Sequence, residues 1–229
     1  MNEPRQPTLW YRQVAAVIPR HMLLKSTGTM LFIAVFFGAY FFLLKHPVRA
    51  VTVMPLTLLD RLVSFEPLTM PLYVSLWVYV SLPPALLATP QELFAYAKAM
   101  AGTCLLGLLI FYLWPTAVPV ADIDWTRYPG VDFLKNLDAS GNAFPSLHVA
   151  TAIFSGLWLR VLLRRFGAPR WLRLLNGLWC AGIVYSTLAT RQHVAVDVAA
   201  GLVLGGLAAA LSLRHHLPLK SQPTRPAPR

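Results

Sequence analysis

Two short stretches of the chain concentrate residue types that can move protons and hold anions. Gly141-Asn142-Ala143-Phe144-Pro145-Ser146-Leu147-His148 opens one apolar segment, and Thr190-Arg191-Gln192-His193-Val194-Ala195-Val196-Asp197 opens another. His193 and Asp197 are four apart, so on a helix they share one face. A carboxylate in that position can take the proton of one imidazole nitrogen and leave the other for attack. Pro145 suits the first turn of a helix, Ser146 can cap that turn, and the N–H groups exposed at such a start bind phosphate well. His148 would sit on the same turn and face the same anion, with Asn142 a further candidate for contact with it. Arg191 lies just outside the later segment and can clamp phosphate oxygens. The same types admit other roles: His148, His193 and Asp197 could be three zinc ligands, and a single His-x-x-x-Asp pair can be structural. What favours chemistry is that two such clusters each open an apolar segment.

The elements that must position them are membrane-spanning by composition. Of the 229 residues, 56% are hydrophobic and 13% charged, against about a quarter charged in a soluble domain. About 20 apolar residues in a helix cross a hydrocarbon core. Six stretches qualify: Thr27 to Leu44, Leu68 to Leu87, Leu93 to Trp114, Ser146 to Leu163, Trp171 to Thr190 and Val194 to Leu213. The expectation is an all-α polytopic membrane protein, with a six-helix transmembrane bundle over 27–213 between a cytoplasmic segment 1–26 and a disordered proline-bearing tail 214–229. No small-residue cleavage site follows the first span, so it reads as a retained anchor. Of the long connections, 49–66 reads as an amphipathic interfacial helix, and 115–144 as a polar loop with Trp125 and Tyr128 as interfacial anchors.

The net charge of +11 does not imply nucleic acid, because Lys and Arg sit between apolar segments rather than along one polar face. It orients the chain instead. With the N-terminus inside, fourteen of the twenty Lys and Arg residues fall on cytoplasmic segments. The positive-inside rule then puts both termini in the cytoplasm and both histidine clusters at the outer face of the plasma (inner) membrane. Cys104 and Cys180 lie inside apolar runs and read as packed thiols.

On these residues the chain resembles the type 2 phosphatidic acid phosphatase superfamily of membrane phosphatases and lipid phosphotransferases, over most of its length. Members carry a Pro-Ser-x-His element, matched by Pro145, Ser146 and His148, and a later His-x-x-x-Asp element, matched by His193 and Asp197, with Gly201 following. The resemblance implies a six-helix core, no metal and no cofactor. It makes His193 the nucleophile that forms a phosphohistidine, Asp197 its orienting partner, and His148 the acid for the leaving oxygen, with Ser146 and nearby N–H groups holding the phosphate. The implied function is hydrolysis of a lipid phosphate or diphosphate at the outer face. The alternatives are transfer of a phospho-headgroup to another alcohol and, less favoured, a non-catalytic membrane scaffold. The expected partners are a lipid phosphate substrate and membrane lipids, with oligomeric state left open.

The chain also departs from the commoner family pattern. Leu147 stands in place of a Gly, Thr187 in place of an Arg, and an earlier Lys-and-Arg-Pro element is missing, its nearest counterpart being Trp114 to Pro119. These departures resemble the branch that includes inositol phosphorylceramide synthases and bacterial relatives. They leave Arg191, Arg127 and Lys135, in that order, as candidates for the phosphate clamp.

Overall fold

A computed structural model describes residues 9–130, 132 and 141–214. The fold is helical. A short α1 (Trp10–Val17) leads into α2 (Met22–Lys45). After a five-residue α3 (Leu58–Leu62), the pair α4 (Met70–Val74) and α5 (Leu76–Leu86) is followed by α6 (Pro90–Leu113). The last three helices are α7 (Leu147–Arg165), α8 (Arg170–Ala189) and α9 (Ala195–Arg214). Strands are limited to β1 (Thr52–Val53) and β2 (Thr116–Ala117), which pair in parallel.

Four helices among the described residues, α2, α6, α7 and α9, are long and apolar enough to cross a membrane. The other two expected spans are built differently. The run from Leu68 to Leu87 is divided into a 3₁₀ turn, α4 and α5, with Pro71 at the start of α4 and Pro83 and Pro84 inside α5. Proline removes a donor and disfavours uninterrupted helix. Helix α8 has the length, but Arg170, Arg173 and Asn176 occupy its first two turns. The 49–66 connection is not one amphipathic helix. Pro47, Pro55 and Pro67 leave room only for β1 and α3.

Successive long elements alternate in direction, which brings both described chain ends to one end of the bundle. At that end Lys25 donates to the carbonyls of Val17 and Ala85 (3.0 and 2.8 Å), Arg165 pairs with Glu92, and Trp158 donates to Ser212 (2.9 Å). At the opposite end Asn142 donates to the Tyr40 carbonyl, and the Glu66 N–H to the Ala189 carbonyl. Mid-bundle, the Tyr79 hydroxyl donates to Asn176 Oδ1 at 2.6 Å, while Asn176 Nδ2 donates to the Gly156 carbonyl at 3.0 Å. One buried network thus joins α5, α7 and α8, polar glue of the kind that holds helices where lipid removes the hydrophobic drive.

The closest pairing is α7 against α9. A Cβ on Gly201 would come within 2.5 Å of the Ser146 carbonyl oxygen, and one on Gly205 would collide with the Ala150 carbonyl. Glycine is what lets these two backbones touch, and α7 and α9 are the helices that carry the two histidine clusters.

Candidate active site

The two clusters meet at the end of the bundle opposite the chain ends. Helix α7 begins where Ser146, fully buried, accepts the Val149 N–H on its hydroxyl at 3.2 Å. This N-cap satisfies one of the orphan donors of the first turn. The Ser146 N–H in turn donates to the Asp197 carbonyl at 3.0 Å, which fixes the start of α7 to the first turn of α9.

On α9 the Asp197 side chain is 0% exposed. Its Oδ2 accepts the Val194 N–H at 3.1 Å and lies 3.6 Å from His193 Nδ1. That separation is beyond a formed hydrogen bond, but contacts in ligand-free catalytic sites are commonly long and tighten with substrate. Neither His193 Nδ1 nor Asp197 Oδ1 has a hydrogen-bond partner among the described residues. With Nδ1 turned to the carboxylate, Nε2 is the nitrogen left for chemistry.

His148 is the second residue of α7, in its first turn. Its ring stacks on Tyr73 with centroids 4.0 Å apart, and Nε2 lies 3.0 Å from the Tyr73 carbonyl oxygen. A carbonyl can only accept, so Nε2 carries the hydrogen. Tyr73 belongs to the last turn of the short α4, where the Ser75 N–H is shared between the carbonyls of Pro71 and Tyr73. The division between α4 and α5 thus supplies the acceptor that fixes this ring.

His148 and His193 line one cavity of about 340 Å³, together with Asn142, Leu147, Thr151 and Gln192. The cavity continues away from the histidines between α2, α5 and α6, past Phe36, Trp77, Met100 and Tyr96 as far as Lys25. On α2 its lining runs from Leu24 to Phe41, roughly 26 Å at 1.5 Å per residue. Its walls are apolar and aromatic for most of that length. Lys25, Thr29 and Ser81 line it toward the far end, and the densest group of polar side chains, Asn142, His148, Thr151, Gln192 and His193, lies at the histidine end, a distribution suited to a ligand with a polar head and a long apolar tail.

The candidate phosphate contacts divide. Asn142 lines the cavity, with Nδ2 donating to the Tyr40 carbonyl at 3.1 Å and its backbone in the left-handed region at φ 49°. Asn tolerates that conformation better than most residues. Ser146 sits beneath the cavity as the cap described above. Arg191 lies outside the lining: its guanidinium donates to the carbonyls of Asp60 and Val63 at 2.9 and 2.8 Å. Its own φ of 57° is uncommon for a non-glycine residue. Arg127 is exposed and paired with Asp124 at 3.0 Å. Lys135 falls outside the described residues.

The residue that sequence reasoning missed is Asp60. Its carboxylate is buried and accepts the N–H and hydroxyl of Thr57, both at 2.7 Å, and the N–H of Ala195, also at 2.7 Å. One side chain thus caps α3 and the first residue of α9. With Arg191 bonded to carbonyls of the same segment, the turn carrying His193 is held from two directions. The available signal was the capping-box spacing of Thr57 and Asp60 before Arg61-Leu62, which marks a helix start but not the contact with Ala195, since a partner 135 positions away leaves no local trace. Among the described residues no three His, Cys, Asp or Glu side chains form a group able to hold a metal ion.

The departures from the resemblance have structural counterparts. Leu147 fits over Gly107 of α6, where an added Cβ would lie 2.8 Å from the Leu147 Cγ. Thr187 is buried, and its carbonyl receives the N–H groups of both Gln192 and His193 at 3.0 Å.

The PAP2 superfamily model matches residues 91–220, which include both histidine clusters and helices α7 and α9, while the α2, α3, α4 and α5 segments that complete the site lie before it. No curated protein and no solved structure matches the chain.

Proposed function

The chain belongs to the PAP2 superfamily, and from that membership and the geometry of the site we propose that it is a membrane phosphatase acting on a lipid phosphate through a phosphohistidine on His193. The observation that carries this reading is the single cavity that holds His148 and His193 at its polar end and continues as an apolar groove of near-membrane length.

The steps follow from the groups present. His193 Nε2 attacks phosphorus while Asp197 holds Nδ1–H and stabilises the developing imidazolium. The bond from phosphorus to the lipid oxygen breaks, and His148 delivers a proton to that oxygen. Because Nε2–H of His148 is bonded to the Tyr73 carbonyl, Nδ1 is the nitrogen that exchanges this proton. Water then gives a proton to His148 Nδ1 and its oxygen to phosphorus, and the P–N bond breaks to release phosphate. The first N–H groups of α7 and Asn142 face the phosphoryl oxygens. Arg191 serves this reading by holding the His193 turn onto the Asp60 segment. Transfer to another alcohol differs only in the acceptor of the second step.

In this reading α4–α5 and α8 complete six crossings, both termini are cytoplasmic, and the histidines face the outer side, as the basic residues require. Leu147 over Gly107 and the neutral Thr187 support the branch with altered basic residues. The test is purified protein with a panel of lipid phosphates, assayed for free phosphate and, with an added alcohol, for new phospholipid. Phosphate release abolished by His193→Ala, with an acid-labile label on the wild-type chain, is the expected result. Full turnover in His193→Ala would overturn the mechanism.

A further inference from the structure

A second residue of the His193 turn has no structural task for its side chain. Gln192 is 3% exposed, and neither Nε2 nor Oε1 has a hydrogen-bond partner among the described residues. Its backbone is settled, since its N–H donates to the Thr187 carbonyl at 3.0 Å. Its side chain lines the same cavity as His148, His193 and Asn142. A carboxamide buried with both ends unpaired is rare in folded proteins and destabilises the fold that contains it. Other buried amides of this chain do not behave this way: Asn176 is bonded through both Oδ1 and Nδ2, and Asn142 through Nδ2. A leucine at position 192 would fill the same space without that penalty.

The resolution lies in what the cavity must receive. Among the described residues the candidate cations lie elsewhere: Arg191 is bonded to two main-chain carbonyls of the α3 segment, and Arg127 is exposed and paired with Asp124. We propose that Gln192 is a phosphoryl-binding residue, its carboxamide N–H donating to a non-bridging oxygen of the substrate phosphate beside His193. This inference rests on the functional reading above. It assigns the headgroup contact to a neutral donor working with the first N–H groups of α7, in place of a side-chain cation. The Oε1 atom is then matched by the hydroxyl of the incoming water or alcohol, a donor present in the second half of the reaction.

The experiment uses the full chain in detergent, with inorganic phosphate as the probe and two near-isosteric variants. Gln192→Leu keeps the volume and removes both polar atoms. Gln192→Glu keeps the shape, removes the donors and adds a like charge. Expected for Gln192→Leu are a melting temperature equal to or above wild type, and a rise of tenfold or more in both KM and the inhibition constant for phosphate. Gln192→Glu should lose phosphate inhibition more completely. A structural Gln192 would give the reverse, a lowered melting temperature with phosphate inhibition unchanged, and that result overturns the proposal. So does normal phosphate inhibition in Gln192→Glu, which covers the case of a Leu variant that fails to fold. The two claims separate cleanly. If wild type turns over no lipid phosphate, yet phosphate raises its melting temperature and Gln192→Leu removes that shift, the functional reading falls and the binding residue stands. If wild type is active and both variants match it, the reverse holds.

Discussion

The Ser146 N–H donates to the Asp197 carbonyl at 3.0 Å, so the residue that caps α7 and the residue that partners His193 are joined main chain to main chain. This bond makes the relative position of the two histidines a property of backbone contact and not of side-chain packing alone. It forms because α9 lies against α7 at Gly201 and Gly205, where any Cβ would strike the carbonyls of Ser146 and Ala150. In the proposed mechanism, sub-ångström placement of His193 and His148 is worth large factors in rate, and that placement depends on two hydrogen atoms in place of two methyl groups.

Substitution at these glycines should therefore cost stability and activity together. Gly205→Ala meets backbone, which cannot move aside as a flexible side chain would, so a loss of about 1–3 kcal/mol is expected, with most of the turnover. Gly206→Ala is the control: nothing lies within 4 Å of a Cβ there, and alanine favours helix by up to about 1 kcal/mol. Thermal melts in detergent alongside phosphate-release assays check both. Equal melting temperatures for the two variants would show that the close approach does not hold the site together.

How much of this was legible in the sequence depends on how local each signal is. The cap at Ser146 follows from its place before an apolar helix, a short-range consequence of helix geometry. The proximity of His193 and Asp197 was expected from a spacing of four on one helix face, but His193 lies in the turn before α9, which begins at Ala195, and it is that turn which brings Nδ1 to 3.6 Å from the carboxylate. Pro67, Pro71, Pro83 and Pro84 spoke against one uninterrupted helix, but the apolar content of Leu68 to Leu87 outweighed them, and the break itself falls at Ser75, which none of them adjoins. The acceptor for His148 lay hidden with that interruption, since a main-chain carbonyl carries no residue identity. The bonds between the Asp60 segment and the His193 turn were hidden for a related reason. Arg191 stood out beside His193 as a candidate phosphate clamp, but its contacts with the carbonyls of Asp60 and Val63 exist only once the fold brings positions 60 and 191 together.

Asp60→Ala should remove the cap of α3 and of α9 at once. Each lost cap is worth roughly 0.5–2 kcal/mol, and the displaced His193 turn should cost about ten- to hundredfold in kcat. Asp60→Asn keeps an acceptor for the Ala195 N–H and should fall between. Arg191→Lys should behave as a positioning defect, because one ammonium cannot reproduce two diverging contacts. The expected pattern for it is a lower melting temperature and kcat, with the inhibition constant for inorganic phosphate close to wild type. A large selective loss of phosphate affinity in Arg191→Lys would instead put its guanidinium on the substrate.

The orientation can be tested without any assay of activity. Both native cysteines are buried and free, so the background for an impermeant thiol reagent in intact cells is low. Gly130→Cys should label and Arg164→Cys should not, since the segment near 130 is expected outside and the turn after α7 inside. Labelling at 164 with none at 130 would reverse the bundle and move the histidines to the cytoplasmic face.

The role of His148 gives the sharpest chemical prediction. Its Nε2–H is held by the Tyr73 carbonyl, so in the proposed mechanism Nδ1 carries the proton that reaches the leaving oxygen. General-acid assistance is worth typically 10²–10⁴-fold and matters most when the leaving group is a poor one. His148→Asn should therefore lose about that factor on an alkyl phosphate, whose alkoxide needs protonation, and far less on an aryl phosphate with an acidic phenol. His193→Ala should lose both substrates equally, because no leaving group compensates for a missing nucleophile. The measurement is kcat/KM across a series of leaving-group pKa values for wild type and His148→Asn. A steeper dependence in the variant is the expected signature of a lost acid. Parallel slopes with a uniform offset would mean that His148 binds the phosphate without protonating anything, and the acid would have to be sought elsewhere along the cavity.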